Sequence, residues 1–291
     1  MSEAAVNKST PTRAALCVGI NNFKNLPQSS WLHGCVNDAN DLAALLREQY
    51  GFTPEDVTVL VDAEASKAAV LGALTRLVER AESGDLGQIV FTFSSHGTQI
   101  PDTNGDEADG LDECFACYDI DSAGDSWNKD TVIVDDELHE LLLRLPASTR
   151  MDVVLDTCHS GTGLRALDLI PGRRPRFLPP PTPEGLSSVE TLETTKKSSL
   201  KELSQGTNGA DGVQAVLMAA CRDDQTATDA FIDGRYNGAF TYHFVKTLKS
   251  DGTLSRAGLL KAVSKALKEG RFDQVVQLEA TPAQKKASWG S

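Results

Sequence analysis

The sequence predicts an α/β fold with a mostly parallel central sheet and helices on both faces. Three observations support this. Short continuous apolar runs recur through the first 165 residues, as in strands buried on both faces. Between them lie segments with apolar residues at helical spacing. No apolar run approaches the roughly 20 residues needed to span a bilayer, so the runs belong to a core.

Ala14 to Ile20 (AALCVGI), bounded by Asn21-Asn22, reads as a buried strand. Asn37 to Tyr50 carries Ala39, Leu42, Ala43, Leu45 and Leu46 on a helical stripe that Gly51 ends. Val57 to Val61 is strand-like. Ser66 to Ala81 is a helix with Ser66 as its cap and Val70, Leu74, Leu77 and Val78 on one face. Gln88 to Phe93 (QIVFTF) and Met151 to Leu155 (MDVVL) are core strands. Between them, Asp135 to Leu145 is a helix whose acidic start suits the positive end of a helix dipole. The segment CFACYDI reads as a strand with Cys114 and Cys117 facing opposite sides. A second block follows, with a strand at Val213 to Ala220, helices at Ala239 to Leu248 and Ser255 to Leu267, and a last strand at Val275 to Leu278.

The chain divides into a short extension (1–13), a large region (14–170), a connector (171–212), and a smaller region (213–291) that completes the same domain. The connector holds Pro171, Pro175, four prolines within 179–183 and a Ser/Thr/Lys/Gly-rich stretch, so it is expected to be exposed and mobile.

The 291 residues carry 28 basic and 41 acidic side chains, a net charge of -13. Residues 81–140 hold sixteen of the acids and one base, Lys129. An acidic chain is a poor general binder of nucleic acid or anionic membranes, so neither is an expected partner. The polar N-terminus lacks the apolar core of a secretory signal, and six scattered cysteines are expected as free thiols. The expected compartment is the cytoplasm.

Ligands of open α/β sheets bind outside the carboxyl ends of the strands. QIVFTF runs into Ser94-Ser95-His96-Gly97, and MDVVL runs into Asp156-Thr157-Cys158-His159. A Cys and a His that meet only in the fold have the logic of a cysteine nucleophile. His96 would activate the Cys158 thiol or protonate a leaving amine. The backbone amides of Gly97 and Cys158 are candidates for the oxyanion hole. The alternative is structural, since a cysteine is often a small buried hydrophobe.

These blocks are familiar. SSHGTQ, DTNGDEADGLDE, VDDELHELL and LDTCHSGTGL resemble the large-subunit blocks of metacaspases. AACRDDQTATDA (219–230) and YNGAFTYHF (236–244) resemble the small-subunit blocks, and ALCVGIN with LHGCVNDANDL also matches. The resemblance covers 14–170 and 213–280 in the family's order, without a long prodomain. It implies a caspase-like (caspase/hemoglobinase) fold and a Cys-His endopeptidase with Cys158 and His96 as the dyad. It further implies cleavage after Arg or Lys, with Asp38 and Asp156 as pocket acids, Ser94 and Cys35 beside them, protein or peptide substrates, and a monomer. A carboxylate two residues before the nucleophile agrees, because it disfavours acidic substrate side chains. Asp38 has a second reading as a helix cap.

Residues 102–125 hold nine carboxylates and no base, and oxygen-rich clusters bind hard cations. An EF-hand is excluded because the sixth position from Asp102 is not glycine. The resemblance implies a different calcium site, with Asp112, Asp135 and Asp136 as ligands and no organic cofactor. Where the family has a further acid after the nucleophile, this chain has Arg165, with Asp168 three residues later. Cys114 and Cys117 lack the context of a redox or zinc site, and His139, His159 and His243 are given no catalytic role. The connector bases Arg173, Arg174, Arg176, Lys196, Lys197 and Lys201 are candidate self-cleavage points. The rival class is a non-catalytic caspase-like interaction module. A legumain-like or separase-like peptidase is disfavoured by the small-subunit block.

Overall fold

The apolar runs become the strands of one sheet. The computed structural model describes residues 12–102, 110–158, 170–187, 215–222 and 225–290. Among them, a six-stranded sheet is built from β1 (Arg13–Gly19), β2 (Val57–Val61), β3 (Gln88–Ser94), β9 (Arg150–Asp156), β11 (Ala215–Ala219) and β14 (Gln277–Glu279), in the order β14-β11-β9-β3-β1-β2. Every neighbouring pair is parallel except β11 with the edge strand β14. A smaller antiparallel sheet joins β4 (Gly97–Pro101), β5 (Leu111–Ala116) and β8 (Val132–Val134), and β6 (Ser122–Ala123) pairs with β7 (Ser126–Trp127). A third sheet joins β10 (Arg173–Pro175), β12 (Thr228–Ile232) and β13 (Arg235–Gly238).

Helices accompany these strands, among them α1 (Cys35–Gln49), α2 (Lys67–Glu82), α3 (Asp135–Leu143), α4 (Ala239–Ser250), α5 (Arg256–Glu269) and α6 (Pro282–Lys286). Side chains alternate across the strands, so the main sheet feeds two cores. Leu16, Val18, Phe91, Phe93 and Val153 pack with Val70 and Leu74 of α2 and Leu138 of α3. Ala15, Cys17, Val90, Val154 and Met218 pack with Leu42 of α1, Phe240 and Phe244 of α4, and Leu259 of α5. Ser66 caps α2 by accepting from the Ala69 amide, and Ser255 caps α5 by accepting from Gly258. Buried Arg256 of α5 clasps Asp152 of β9 through two bonds of 2.7 and 2.8 Å. No described helix is long and apolar enough to cross a membrane.

Two expectations fail. Residues 171–187 are not an exposed connector. β10 pairs with β12, and Arg176, Phe177 and Leu178 are buried. The prolines misled because they were taken for a linker, whereas proline also suits an extended strand at a sheet edge. The rest of the connector, including Lys196, Lys197 and Lys201, lies outside the described residues. Cys114 and Cys117 do not face opposite ways into different surroundings. Both are buried in the same core, because Cys117 lies past the end of β5, where strand alternation no longer holds.

Candidate active site

The chain leaves β1 for the edge strand β2 and returns to place β3 on the other side of β1. Such a reversal opens a crevice beyond the carboxyl ends of the central strands. Gly19, Ser94 and Asp156 stand side by side there in register. The next residues of β3 and β9 are Ser95-His96 and Thr157-Cys158, so the predicted dyad shares one sheet edge.

His96 is buried beside Phe23, with its Nε2 2.8 Å from the Ser30 carbonyl. Nε2 therefore carries the proton and donates it, which leaves Nδ1 as the basic nitrogen. Among the described residues Nδ1 has no hydrogen-bond partner. Burial pushes the imidazole down to about 4, against the opposing pull of the Ser30 carbonyl, so the ring is a neutral base around pH 7. The Cys158 thiol donates to the Gln225 carbonyl at 2.8 Å, so thiol and imidazole are not hydrogen-bonded to each other in this state. Such contacts commonly tighten only as reaction proceeds. Cys221, also buried, donates its thiol to the Thr157 carbonyl at 3.6 Å, and the neighbouring Cys158 together with burial holds that thiol well above the usual range. Cys221 is thus no competing thiolate.

Next to the dyad lies a closed pocket lined by three carboxylates, with a guanidinium inside it. Arg176 is fully buried, and its Nη2 donates to Asp38 at 2.6 Å and to Asp229 at 3.1 Å. Its Nη1 donates to the Asp156 carbonyl at 3.0 Å and lies 3.2 Å from that residue's carboxylate. Burial opposes the guanidinium charge, but Asp156, Asp38 and Asp229 outweigh it and hold the group firmly protonated.

Each carboxylate is held in place. Asp156 accepts from the Thr241 amide and hydroxyl at 3.0 and 2.6 Å. Asp38 accepts from the Asn237 side chain and the Gly238 amide, both at 3.0 Å. Asp229 accepts from the amides of His33 and Gly34, both at 2.9 Å. Asp38 does not cap α1. The Cys35 amide at the helix start donates to Asn21 instead, which leaves the Asp38 carboxylate for the pocket. Burial lifts Asp38 to about 7, with Arg176 pulling it down and Asp156 pushing it up. Cys35 is buried within reach of the charges of Arg176, Asp229, Asp38 and Asp156, and its thiol is raised chiefly by burial. Ser94 stands next to Asp156 in the sheet.

Gly97, the predicted oxyanion donor, directly follows His96. Its amide donates to the Arg176 carbonyl at 2.8 Å. A Cβ at this position would lie 2.0 Å from the Cys158 carbonyl oxygen, so only glycine lets this amide approach the nucleophile's backbone so closely.

The predicted calcium ligands are less complete. Asp112 is buried on β5, Asp135 is buried at the start of α3, and Asp136 is half-buried. Cys114 pairs with Val134 across β5 and β8, so Asp112 and Asp135 flank that pair. The Lys129 ammonium lies 3.8 Å from the Asp112 carboxylate. Among the described residues no three His, Cys, Asp or Glu side chains converge as a metal site. Arg165, Asp168 and His159 lie outside the described residues.

Three contributions were not legible beforehand: Asp229 as the third pocket acid, the Ser30 carbonyl behind His96, and the Asn237-Gly238-Thr241 cradle. Asp229, Asn237, Gly238 and Thr241 all fall inside the small-subunit blocks, which is the signal that pointed to them. Ser30 acts through its backbone, which no side-chain pattern reveals.

Residues 12–288 match the caspase domain family, Peptidase_C14. Metacaspase-1 of Cryptococcus neoformans is 32% identical across 94% of this chain and 64% of its own length. Metacaspase-1B of Aspergillus fumigatus is 31% identical across 94% of this chain and 70% of its own length. The chain thus spans about two thirds of the length of these curated relatives. Among solved structures, a Geobacter sulfurreducens protein, GSU0716, superposes with a TM-score of 0.66 at 26% identity, covering 97% of this chain and 99% of its own. Caspase-1 from Spodoptera frugiperda superposes with a TM-score of 0.54 at 12% identity over 96% and 93% of the two chains, a likeness of fold alone.

Proposed function

Because this chain belongs to the caspase-domain (Peptidase_C14) family of peptidases and is of the metacaspase type, we propose that it is a cysteine endopeptidase that cuts proteins after Arg or Lys. The observation behind the specificity is the buried carboxylate pocket beside the dyad, with a guanidinium held by Asp38, Asp156 and Asp229. An acidic side chain placed there would meet three carboxylates and no cation of its own, a mismatch of several kcal/mol in a dry site.

In this reading, His96 Nδ1 takes the proton of Cys158 and the thiolate attacks the carbonyl carbon of the residue whose side chain fills the pocket. The Gly97 amide holds the oxygen as it becomes negative, and the imidazolium then protonates the departing amine. Ser30 keeps the ring in the tautomer that this route needs. Calcium is proposed as a stimulating ion bound near Asp112, Asp135 and Asp136, and no step of hydrolysis is routed through it. The enzyme is further proposed to act as a single chain in the cytoplasm and to process itself.

The test is a panel of short peptides ending in Arg, Lys or Asp before a reporter amine, with calcium titrated from none upward. Release from the Arg and Lys peptides, absent for Asp and abolished by Cys158→Ala, is expected. Folded protein that turns over neither basic peptide at any calcium concentration refutes the reading.

A further inference from the structure

We propose that residues 173–178 occupy the cleft as the chain's own substrate, with the Arg176–Phe177 peptide bond as the bond it cuts in itself. This rests on the endopeptidase reading above and specifies which bond self-processing takes. Six connector bases could serve on sequence grounds, and of the three among the described residues the geometry selects one.

The segment is bound by its main chain on both sides of that bond. Before it, Arg173 to Pro175 pair with Thr228 to Ala230, and the Arg176 amide donates to the Ala227 carbonyl at 2.9 Å. After it, the Leu178 amide donates to the Gly97 carbonyl at 2.9 Å, and the Thr98 hydroxyl donates to the Leu178 carbonyl at 2.7 Å. Between the two, the Arg176 carbonyl accepts from the Gly97 amide at 2.8 Å. That amide is the predicted oxyanion donor, and it belongs to the residue after His96. The same carbonyl lies close enough to the imidazole to favour its protonated form. A strand bound edge-on with one side chain sunk in a pocket is the usual way a protein reads an extended peptide.

The side chains agree. Arg176 alone of the three described connector arginines enters the carboxylate pocket. Arg173 lies over the Phe272 ring at 4.0 Å and donates to the carbonyls of Gly270 and Arg271. Arg174 donates to the carbonyl of Ser29 at 2.8 Å. Neither has its charge in the pocket. A cleft of about 660 Å³ remains beside His96, walled on one side by residues 170–175, so outside peptides reach the dyad only by competing with this strand.

The step balances without another reactant besides water. The Cys158 sulfur bonds to the Arg176 carbonyl carbon, and the C–N bond to Phe177 breaks. The proton taken from the thiol passes through His96 to the Phe177 nitrogen, which leaves as a new amino terminus. Water then adds to the thioester, releasing the Arg176 carboxylate and restoring the thiol.

The experiment compares wild type, Cys158→Ala, Arg176→Lys and Arg176→Gln as full chains, with and without calcium. It reads intact mass, N-terminal sequence and turnover of an Arg-reporter peptide. Wild type should yield a fragment beginning at Phe177 and a partner ending at Arg176, and Cys158→Ala should yield neither. Arg176→Lys keeps a cation in the pocket and should retain the cut. Arg176→Gln should slow it by more than about a hundredfold, as expected where a built polar site loses its partner, with Arg176→Lys as the control that keeps the pocket's counter-charge. Wild type that cleaves the reporter yet keeps the 176–177 bond intact, or is cut only elsewhere, overturns this proposal and leaves the endopeptidase reading standing. Folded wild type that cleaves neither the reporter nor itself overturns both.

Discussion

Asp229→Asn tests the pocket most directly, because the change removes one charge and almost no volume. Asp229 is fully buried, with its carboxylate 3.1 Å from the Arg176 Nη2. At an effective dielectric constant of 20, unit charges at that distance attract by about 5 kcal/mol, which is an upper bound. A hydrogen bond to a charged group has a net value of about 1.5–3 kcal/mol, or about one to two orders of magnitude in a rate ratio. The assay is the ratio of kcat/KM for a peptide ending in Arg to that for one ending in citrulline, its neutral isostere. Occlusion of the cleft by residues 173–178 scales both constants equally and cancels in the ratio. The ratio should fall about 10- to 100-fold in Asp229→Asn. A fall of less than about threefold, with Asp38→Asn and Asp156→Asn showing the full effect, would mean that Asp229 serves only the His33 and Gly34 amides.

Asp38 titrates at about 7 with the guanidinium in place. Its neutral form attracts a cation less, so kcat/KM for Arg peptides should decline as pH falls below that value. Asp38→Asn should flatten that limb, and a pH profile checks both. His96, at about 4 in the occupied cleft, stays neutral across this window and adds no second break there. Gly238→Ala would set a Cβ 2.1 Å from the Asp156 carboxylate and 2.6 Å from the Arg176 Nη1. Overpacking of that kind costs about 1–3 kcal/mol, so steady-state kinetics should show a loss of about 5- to 150-fold in kcat/KM for Arg peptides. Asp152→Ala leaves Arg256 buried without its carboxylate, and urea melts should show a loss of about 3–5 kcal/mol.

The strands were legible because they are buried on both faces. Val57–Val61 appears as read, and β3 and β9 differ from the reading by one or two residues at their ends. Ser66 and Ser255 announced their helices, since a hydroxyl before an apolar stripe has one obvious use. The shared sheet edge of His96 and Cys158 was legible through strand polarity, because parallel neighbours end on the same edge. The segment after Pro171 was not legible. Proline and arginine are surface residues by habit, and Arg176 contradicts its neighbours only because acids far away in sequence surround it. Its burial is a property of the assembled site, and no local window of sequence contains it.

The charge pattern makes the same point from the other side. The acidic excess of residues 81–140 is the loudest electrostatic signal in the sequence, yet none of the three pocket acids lies within it. Asp38 comes from the first turn of α1, Asp156 from the end of β9, and Asp229 from β12. Each comes from a different segment, and each is held by backbone amides or side chains of another: Gly238 for Asp38, Thr241 for Asp156, and His33 with Gly34 for Asp229. The proposed selectivity for a cation therefore depends on the docking of the small-subunit region against the large one. Three buried carboxylates brought together without a counter-charge would repel, and Arg176 relieves that repulsion from within the chain. The same contact that blocks the cleft thus helps to hold the pocket together, and on the proposed specificity an arriving Arg or Lys side chain must replace both functions at once.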